Sequence, residues 1–251
     1  NFLTFIISSS CGQNVSIYLI IPPFKHDISV TDASPLPFPP CRIDDIDCLR
    51  RGIRSFFFMM DSGSFGMKPV DPIEVNSVAV AMPEDGLRFL IRNINATGTR
   101  WTRLPTDRCP IDRCRFNLEA DTSGVLFTSD LHITGEITME TVTRTEPYFA
   151  FITIDVQDFE SNITYSWSGE KGVDNEYYIL IGLPRIAVRN MRTPSFFLQP
   201  GTIIEQVLQL RMSALDLLTN EIETSVMHAV VDNFRLFASK IPIKYYYQFP
   251  Q

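Results

Sequence analysis

The stretch that decides the fold is residues 200–242, PGTIIEQVLQLRMSALDLLTNEIETSVMHAVVDNFRLFASKIP. Its apolar residues recur every three or four positions from Ile204 to Phe237 and stop at Pro242, the spacing of one face of an amphipathic helix. We predict one helix of about 35 to 40 residues, about 55 Å long. Its apolar stripe needs a partner, either a second helix in a coiled coil or a sheet of the same chain that wraps it.

The part of the chain before this helix has the patterns of β-strands. Segments 73–82 and 87–94 are separated by the turn sequence PEDG, and segment 148–156 alternates apolar and polar residues. Two more strands are predicted at 162–167 and 177–183. Strands that follow one another without helices indicate an antiparallel sheet. We favour a sheet that wraps the chain's own helix, because its apolar face otherwise lacks a partner.

Two further segments precede the strands. Residues 1–30 are apolar but interrupted by polar residues, and we interpret them as an incomplete leader or signal-like segment. Residues 36–251 are assigned to a single domain. Within it, the acidic residues at 44–47 precede an apolar run that continues to Met60. Negative charge ahead of such a run is typical of a helix start, so we predict a helix here.

The composition excludes some classes of function. The chain has 251 residues, a formal net charge of −7 and 45% hydrophobic residues, which is ordinary for a globular protein. An acidic chain without a clustered basic surface argues against nucleic acid as a partner. The N-terminal apolar stretch is too interrupted for a membrane-spanning helix, so we expect no stable membrane insertion.

The residues that usually carry catalysis are scattered. The histidines lie at positions 26, 132 and 228, in three separate segments. No Gly-X-Ser-X-Gly turn, metal-ligand spacing or phosphate-binding glycine loop occurs. We therefore predict that the protein is not an enzyme and uses no metal and no cofactor.

Cysteines and glycosylation sequons fit a secreted chain. Two close cysteine pairs occur, 41 with 48 and 109 with 114, and neither has the spacing of a zinc knuckle. We predict that the second pair is joined. The candidate disulfide residues are Cys41, Cys48, Cys109 and Cys114, and the candidate glycosylation sites are Asn95 and Asn162.

Three segments resemble the insect juvenile-hormone-binding and takeout proteins. Residues 40–53, PCRIDDIDCLRRGI, resemble the N-terminal signature of this family. Residues 66–73, GMKPVDPI, resemble its turn into the first strand, and residues 87–98, LRFLIRNINATG, resemble the strand that follows. The order of a cysteine-pinned helix, a run of strands and a long helix also matches, so the resemblance covers about residues 38–245.

The resemblance implies an α+β fold in which a strongly curved antiparallel sheet wraps a long C-terminal helix, a super-roll of the lipid-binding tubular type. It also implies a Cys41–Cys48 disulfide, secretion and an elongated apolar tunnel for a small hydrophobic molecule such as juvenile hormone. Hormone binders have a second disulfide between distant strands, but no cysteine follows Cys114. This difference favours the takeout-like group, whose ligands are less defined.

The function predicted from the resemblance is a secreted, monomeric carrier of a small hydrophobic ligand of the terpenoid or fatty acid type. The alternative is an extracellular structural or signalling module with the same fold and a filled core. The residues assigned to the tunnel could also be ordinary core. They are Ile53, Phe56, Phe57, Phe149, Phe151, Ile152, Ile154, Leu215, Leu218, Ile222 and Val226.

Overall fold

The first residues that the structure describes form two short strands that pair with each other. The computed structural model describes residues 4–7, 17–20, 34–42, 45–59, 64–103 and 122–248. Strands β1 (Thr4–Ile7) and β2 (Ile17–Ile20) form a two-stranded antiparallel sheet. Residues 1–30 were interpreted as a leader, and apart from these two strands they lie outside the described residues. Their assignment as a leader therefore stays a prediction.

A disulfide ties the start of the domain to its first helix. Strand β3 (Cys41–Arg42) leads into helix α1 (Ile46–Met59). The Asp45 carboxylate accepts a hydrogen bond from the backbone N–H of Cys48 at 2.8 Å, which satisfies a donor that the first turn leaves open. The Cys41–Cys48 disulfide is present, as the resemblance implied. The acidic helix start read from the sequence is also confirmed.

The centre of the fold is a six-stranded antiparallel sheet. The first five strands lie side by side in the order of the chain, and the sixth pairs with the fourth of them. This arrangement confirms the predicted α+β class with a curled antiparallel sheet. The strands are β4 (Ile73–Met82), β5 (Leu87–Thr97), β6 (Thr122–Thr141), β7 (Arg144–Lys171), β8 (Tyr177–Asn190) and β9 (Ser195–Leu198).

Strand β7 is longer than the sequence indicated. The separate strands predicted at 148–156 and 162–167 are one continuous strand of 28 residues. Asp158 lies between the two with φ of 51°, where the pairing with β6 shifts. The backbone N–H of Asp158 donates to the Asp130 carboxylate at 2.7 Å, so a side chain replaces the lost ladder partner. A polar pair at 157–158 therefore marks a bulge and not a turn.

The C-terminal helix is divided in two, which corrects the single helix predicted for residues 200–242. Helix α2 (Ile203–Leu210) and helix α3 (Met212–Lys240) meet at Arg211, whose φ of −133° is not helical. If the helix were continuous, helical spacing would place Arg211 or Met212 against the core after Leu208. The break instead lets the Arg211 guanidinium pair with the Asp85 carboxylate at 2.9 Å.

Helix α3 closes the roll. It packs against both β4 and β8, the two ends of the path of strands. Asn233 of α3 exchanges two hydrogen bonds of 3.0 Å with the backbone of Lys68, just before β4. Arg235 of α3 donates from Nε to the carbonyl of Ile181 in β8 at 3.0 Å. The helix therefore satisfies backbone groups on both sides of the curled sheet, in addition to filling its interior.

The segment that enters β4 is fixed by one carboxylate. Oδ2 of buried Asp71 accepts hydrogen bonds from the backbone N–H groups of Gly98 and Arg100, both at 3.1 Å. The Arg100 Nε also donates to this oxygen at 3.0 Å. Gly98 has φ of 101°, and a Cβ atom there would lie 2.3 Å from the carbonyl oxygen of Asp130. Only glycine fits at this position.

Replacing Asp71 with alanine is expected to lower the free energy of unfolding by about 3 kcal/mol, because three donors lose one shared acceptor. The Asp71→Asn variant keeps an oxygen in the same place and should lose about half as much. Urea denaturation of both variants measures the difference. Equal losses would show that the geometry of the acceptor does not matter here.

Candidate functional site

A partly open cavity of about 230 Å³ lies between the sheet, helix α1 and the C-terminal half of α3. Residues from the first and last parts of the domain close it. None of the residues that line it is charged. They are Phe38, Cys41, Gly52, Ile53, Phe56, Val125, Phe127, Ile163, Tyr165, Trp167, Ile179, Ile181, Val231, Phe234, Phe237, Ala238, Tyr246 and Tyr247.

Stacked aromatic rings form the wall between the two helices. The Phe56 ring of α1 lies parallel to Phe234 of α3, with the ring centroids 4.3 Å apart. The same ring meets Phe237 edge to face at 5.3 Å. Phe127 of β6 is parallel to Phe234 at 6.2 Å. Aromatic pairs in such contact contribute about 0.5–1.5 kcal/mol each beyond the burial of their surface, so they stabilise this arrangement of the wall.

The size and lining of the cavity limit what it can accept. An engineered apolar cavity of about 150 Å³ binds benzene, and pockets for drug-sized ligands begin at about 300 Å³. A cavity between these values suits a compact apolar molecule or one end of a longer one. Charged groups would lose their hydration here without a charged partner in the lining, at a cost of several kcal/mol.

Three tyrosines, Tyr165, Tyr246 and Tyr247, are among the residues that line the cavity. Burial raises the pKa of Tyr165, Tyr246 and Tyr247, and the proximity of Tyr247 raises the pKa of the other two further. The three phenols are therefore neutral at any physiological pH. The buried Tyr246 hydroxyl has no hydrogen-bond partner among the described residues. It can bond to a polar atom of a ligand.

The two ends of the domain meet over the cavity. Strand β10 (Tyr247–Gln248) pairs in parallel with β3, and the backbone N–H of Cys41 donates to the Tyr246 carbonyl at 3.0 Å. Lys244 binds the Glu176 carboxylate at 2.6 Å, which ties this end to the turn before β8. Together with the disulfide, these contacts hold the cover in place.

Two of the residues assigned to the tunnel line this cavity, and a third lies behind them. Ile53 and Phe56 of α1 are in the wall. Phe57 is buried with no exposed surface and packs edge to face against Phe127. Helical spacing was enough to place these three on the inner face of α1. Whether any of them contacts a ligand stays a prediction.

The assignment of Phe149 and Phe151 to the interior is corrected. Their side chains are 51% and 56% exposed and pack against each other on the outer face of the sheet. Side chains alternate between the two faces of a strand, so residues next to Ile152 cannot share its face. In this half of the strand the buried residues are Ala150, Ile152, Ile154 and Val156.

The remaining predicted residues are buried in the core, away from the cavity. Ile152 and Ile154 of β7 lie on its inner face, and the residues of α3 lie in the first half of the helix. None of them lines the cavity, so their contact with a ligand stays a prediction. These α3 residues are Leu215, Leu218, Ile222 and Val226.

Sequence reasoning missed the tyrosines and the end of β7. Ile163, Tyr165 and Trp167 alternate along one face, and this pattern could have marked them as a wall. The C-terminal run from Tyr245 to Tyr247 carried no periodic signal. Its position over the cavity follows from its pairing with β3, which connects residues about 200 positions apart in the chain.

The structure also describes some of the cysteine, glycosylation and histidine positions considered in the sequence analysis. Cys109 and Cys114 lie outside the described residues, and their pairing stays a prediction. Asn162 is exposed on β7, whereas Asn95 on β5 is half-buried. His132 pairs with Asp155 at 2.6 Å on the outer surface. In the described part of the chain, no helix is long and apolar enough to cross a membrane.

The chain is similar to known proteins in sequence and in fold. No family model matches it. It is 23% identical over 166 residues to the juvenile hormone-binding protein of Manduca sexta, covering 65% of this chain and 69% of that protein. The crystal structure of Takeout 1 from Epiphyas postvittana matches with a TM-score of 0.66 and 14% identity, over 84% of this chain and 100% of that one. The predicted resemblance is therefore confirmed: the chain has the fold of Takeout 1 and is similar in sequence to a juvenile hormone-binding protein.

Proposed function

We propose that the protein is a secreted carrier that binds a small hydrophobic ligand in the cavity between α1, α3 and the sheet. The observation that carries this proposal is the cavity itself, which is apolar, uncharged and partly covered by the two ends of the domain. The sequence similarity to a juvenile hormone-binding protein supports it. The lining suits the apolar part of a terpenoid or of a fatty acid.

Secretion is part of the proposal. The Cys41–Cys48 disulfide favours an oxidising compartment, because structural disulfides are rare in the cytosol. The exposed Asn162 heads the sequon Asn-Ile-Thr, which is available for glycosylation at the surface of β7. We also propose that the carrier acts as a monomer and catalyses no reaction on its ligand.

The alternative of a module with a filled core requires tight packing throughout the roll. Protein interiors are normally packed at crystal density, with few voids larger than a water molecule. A cavity of about 230 Å³ at this site therefore favours the carrier.

A substitution at Gly52 tests the proposal. This residue lines the cavity in the middle of α1, and a Cβ atom there meets Cys41 and Phe38 only at 3.8 Å or more. Gly52→Ala should keep the cavity and stabilise the helix by about 0.8 kcal/mol. Gly52→Leu should fill part of the cavity and weaken binding of the apolar fluorescent probe N-phenyl-1-naphthylamine at least tenfold.

Fluorescence titration of the two variants and of the unmodified protein provides the comparison. Equal binding by Gly52→Leu and Gly52→Ala would mean that the ligand does not occupy this cavity. No saturable binding of any apolar probe, together with no thermal shift on adding one, would contradict a carrier function, because a ligand that binds the native state must stabilise it.

A further inference from the structure

A group of buried polar side chains lies deeper in the roll and has no role so far. Glu223 of α3 has no exposed surface, and its Oε2 accepts a hydrogen bond from Asn190 Nδ2 at 3.3 Å. The other carboxylate oxygen, Oε1, has no partner among the residues that the structure describes. The Asn190 Oδ1 and the hydroxyl of fully buried Ser161 also have none there.

The strand register brings these groups to one place. Phe159 of β7 pairs with Asn190 of β8, and Ser161 pairs with Val188. Directly paired residues of antiparallel strands share a face, so Ser161 and Asn190 lie on the inner face, diagonal to each other. Glu223 meets this face from α3 through its bond to Asn190. Three polar groups, each with an atom that has no partner among the described residues, therefore lie on the inner face of the sheet and on the side of α3 that meets it.

This polar group lies one layer beyond the inner end of the cavity. Glu223, Met227 and Val231 follow at intervals of four along one face of α3, and Val231 lines the cavity. On β7, Ser161 is followed on the same face by Ile163, which also lines it. The buried Met227 side chain is the α3 residue between the two sites. Methionine is unbranched and adaptable, so it can move aside for a ligand.

The open atoms define the chemistry that would satisfy them. Asn190 Oδ1 accepts a hydrogen bond, whereas the Ser161 hydroxyl can donate or accept one. Burial raises the pKa of Glu223 to about 7, despite the opposing hydrogen bond from Asn190. Near neutral pH its Oε1 can therefore be either an acceptor or a protonated donor. A hydroxyl group suits either protonation state of Glu223, because it can donate to the carboxylate or accept from the protonated acid.

We propose that Glu223, Asn190 and Ser161 form an internal binding site for the hydroxyl group of a long-chain or terpenoid alcohol whose apolar body occupies the cavity. The proposal rests on the proposed carrier function and specifies its ligand class. Leaving such buried groups without partners is costly, so a ligand that supplies the missing hydrogen bonds gains affinity over one that cannot. The ligand's polar end would then point into the roll and its apolar end toward the cover formed by β3 and β10.

The test compares ligands of equal size that differ only in hydrogen bonding. They are 1-dodecanol, its isomer methyl undecyl ether, and tridecane. Each competes with N-phenyl-1-naphthylamine at pH 8, and each affinity is corrected for the ligand's partition between water and hydrocarbon. The unmodified protein should then bind the alcohol about tenfold more tightly than the ether, since the ether has no donor.

Two variants locate the hydroxyl site. Glu223→Gln can place an N–H where the open carboxylate oxygen lies, so the preference for alcohol should fall to threefold or less. Ser161→Ala should reduce it about threefold. Tridecane should bind all three proteins within a factor of two, because the cavity is unchanged.

The outcomes separate this inference from the carrier function. Equal binding of alcohol and ether, with tridecane bound normally, would overturn the hydroxyl site and leave the carrier function intact. A preference for alcohol that neither variant changes would place the hydroxyl elsewhere, for example at Tyr246, and would also overturn it. If the unmodified protein binds none of the ligands and no probe, the carrier function itself fails.

Discussion

Replacing Phe57 with alanine is expected to lower the free energy of unfolding by about 4 kcal/mol, within the range for truncating a buried phenylalanine. The side chain has no exposed surface. Its ring meets the rings of Phe56, Phe127 and Phe234 edge to face at centroid distances of 5.7, 5.9 and 5.8 Å. These neighbours belong to α1, β6 and α3, so the void left by alanine cannot close without moving all three elements.

The next residue of the same helix provides a matched control. Phe58 is 47% exposed and makes an edge contact with Trp101 at 5.4 Å. Phe58→Ala should lower the free energy of unfolding by about 1 kcal/mol, because half of the ring is already in water. Urea denaturation followed by far-UV circular dichroism measures both. Similar losses in the two variants would contradict the assignment of Phe57 to the centre of the core.

Glu223→Gln is expected to stabilise the protein by about 3 kcal/mol at pH 8 and by much less at pH 5. Burial raises the pKa of Glu223 from 4.5 to about 7. The folded chain therefore holds this proton more tightly than the unfolded chain does. The contribution of Glu223 to the stability of the unmodified protein is therefore complete below about pH 4.5 and is lost as the pH rises toward 7. Each pKa unit corresponds to about 1.4 kcal/mol, and glutamine cannot ionise.

The environment of Glu223 makes this prediction specific. Asn190 of β8 and Ser161 of β7, the polar groups on the facing strands, carry no charge, so no cation offsets the buried carboxylate. Glu221→Gln is the control, because Glu221 is exposed on the same helix two positions earlier. Denaturation curves from pH 5 to pH 8 should show a widening advantage for Glu223→Gln alone. A constant difference across this range would mean that folding does not raise the pKa of Glu223.

Local patterns predicted most of the fold. The segments 73–82 and 87–94, with the PEDG turn between them, form the β4–β5 hairpin, with β5 extending to Thr97. Helical spacing placed Ile53, Phe56 and Phe57 on the inner face of α1. The predictions that were wrong concern features in which residues distant in the sequence are in contact. The break at Arg211 accompanies its ion pair with Asp85, and β7 continues through the bulge opposite Asp130.

The cavity was harder to predict than the fold. A residue such as Leu218 and a residue such as Phe234 have the same helical spacing, yet only Phe234 lines the cavity. The two residues differ in whether other side chains fill the space beside them. That space is set by the sheet and by the covering strand β10, which are distant in the sequence. Glu223 also gave no signal in the sequence, because a glutamate in an amphipathic helix is usually exposed.

The most direct test of the central claim is to identify what the protein carries. The chain is produced in a eukaryotic secretory host, and the molecules bound to it are extracted and identified by mass spectrometry. We predict a lipophilic molecule in near one-to-one amount with the unmodified protein and with Gly52→Ala, and its loss in Gly52→Leu. Equal traces of lipid in all three proteins would contradict a ligand-binding cavity between α1, α3 and the sheet.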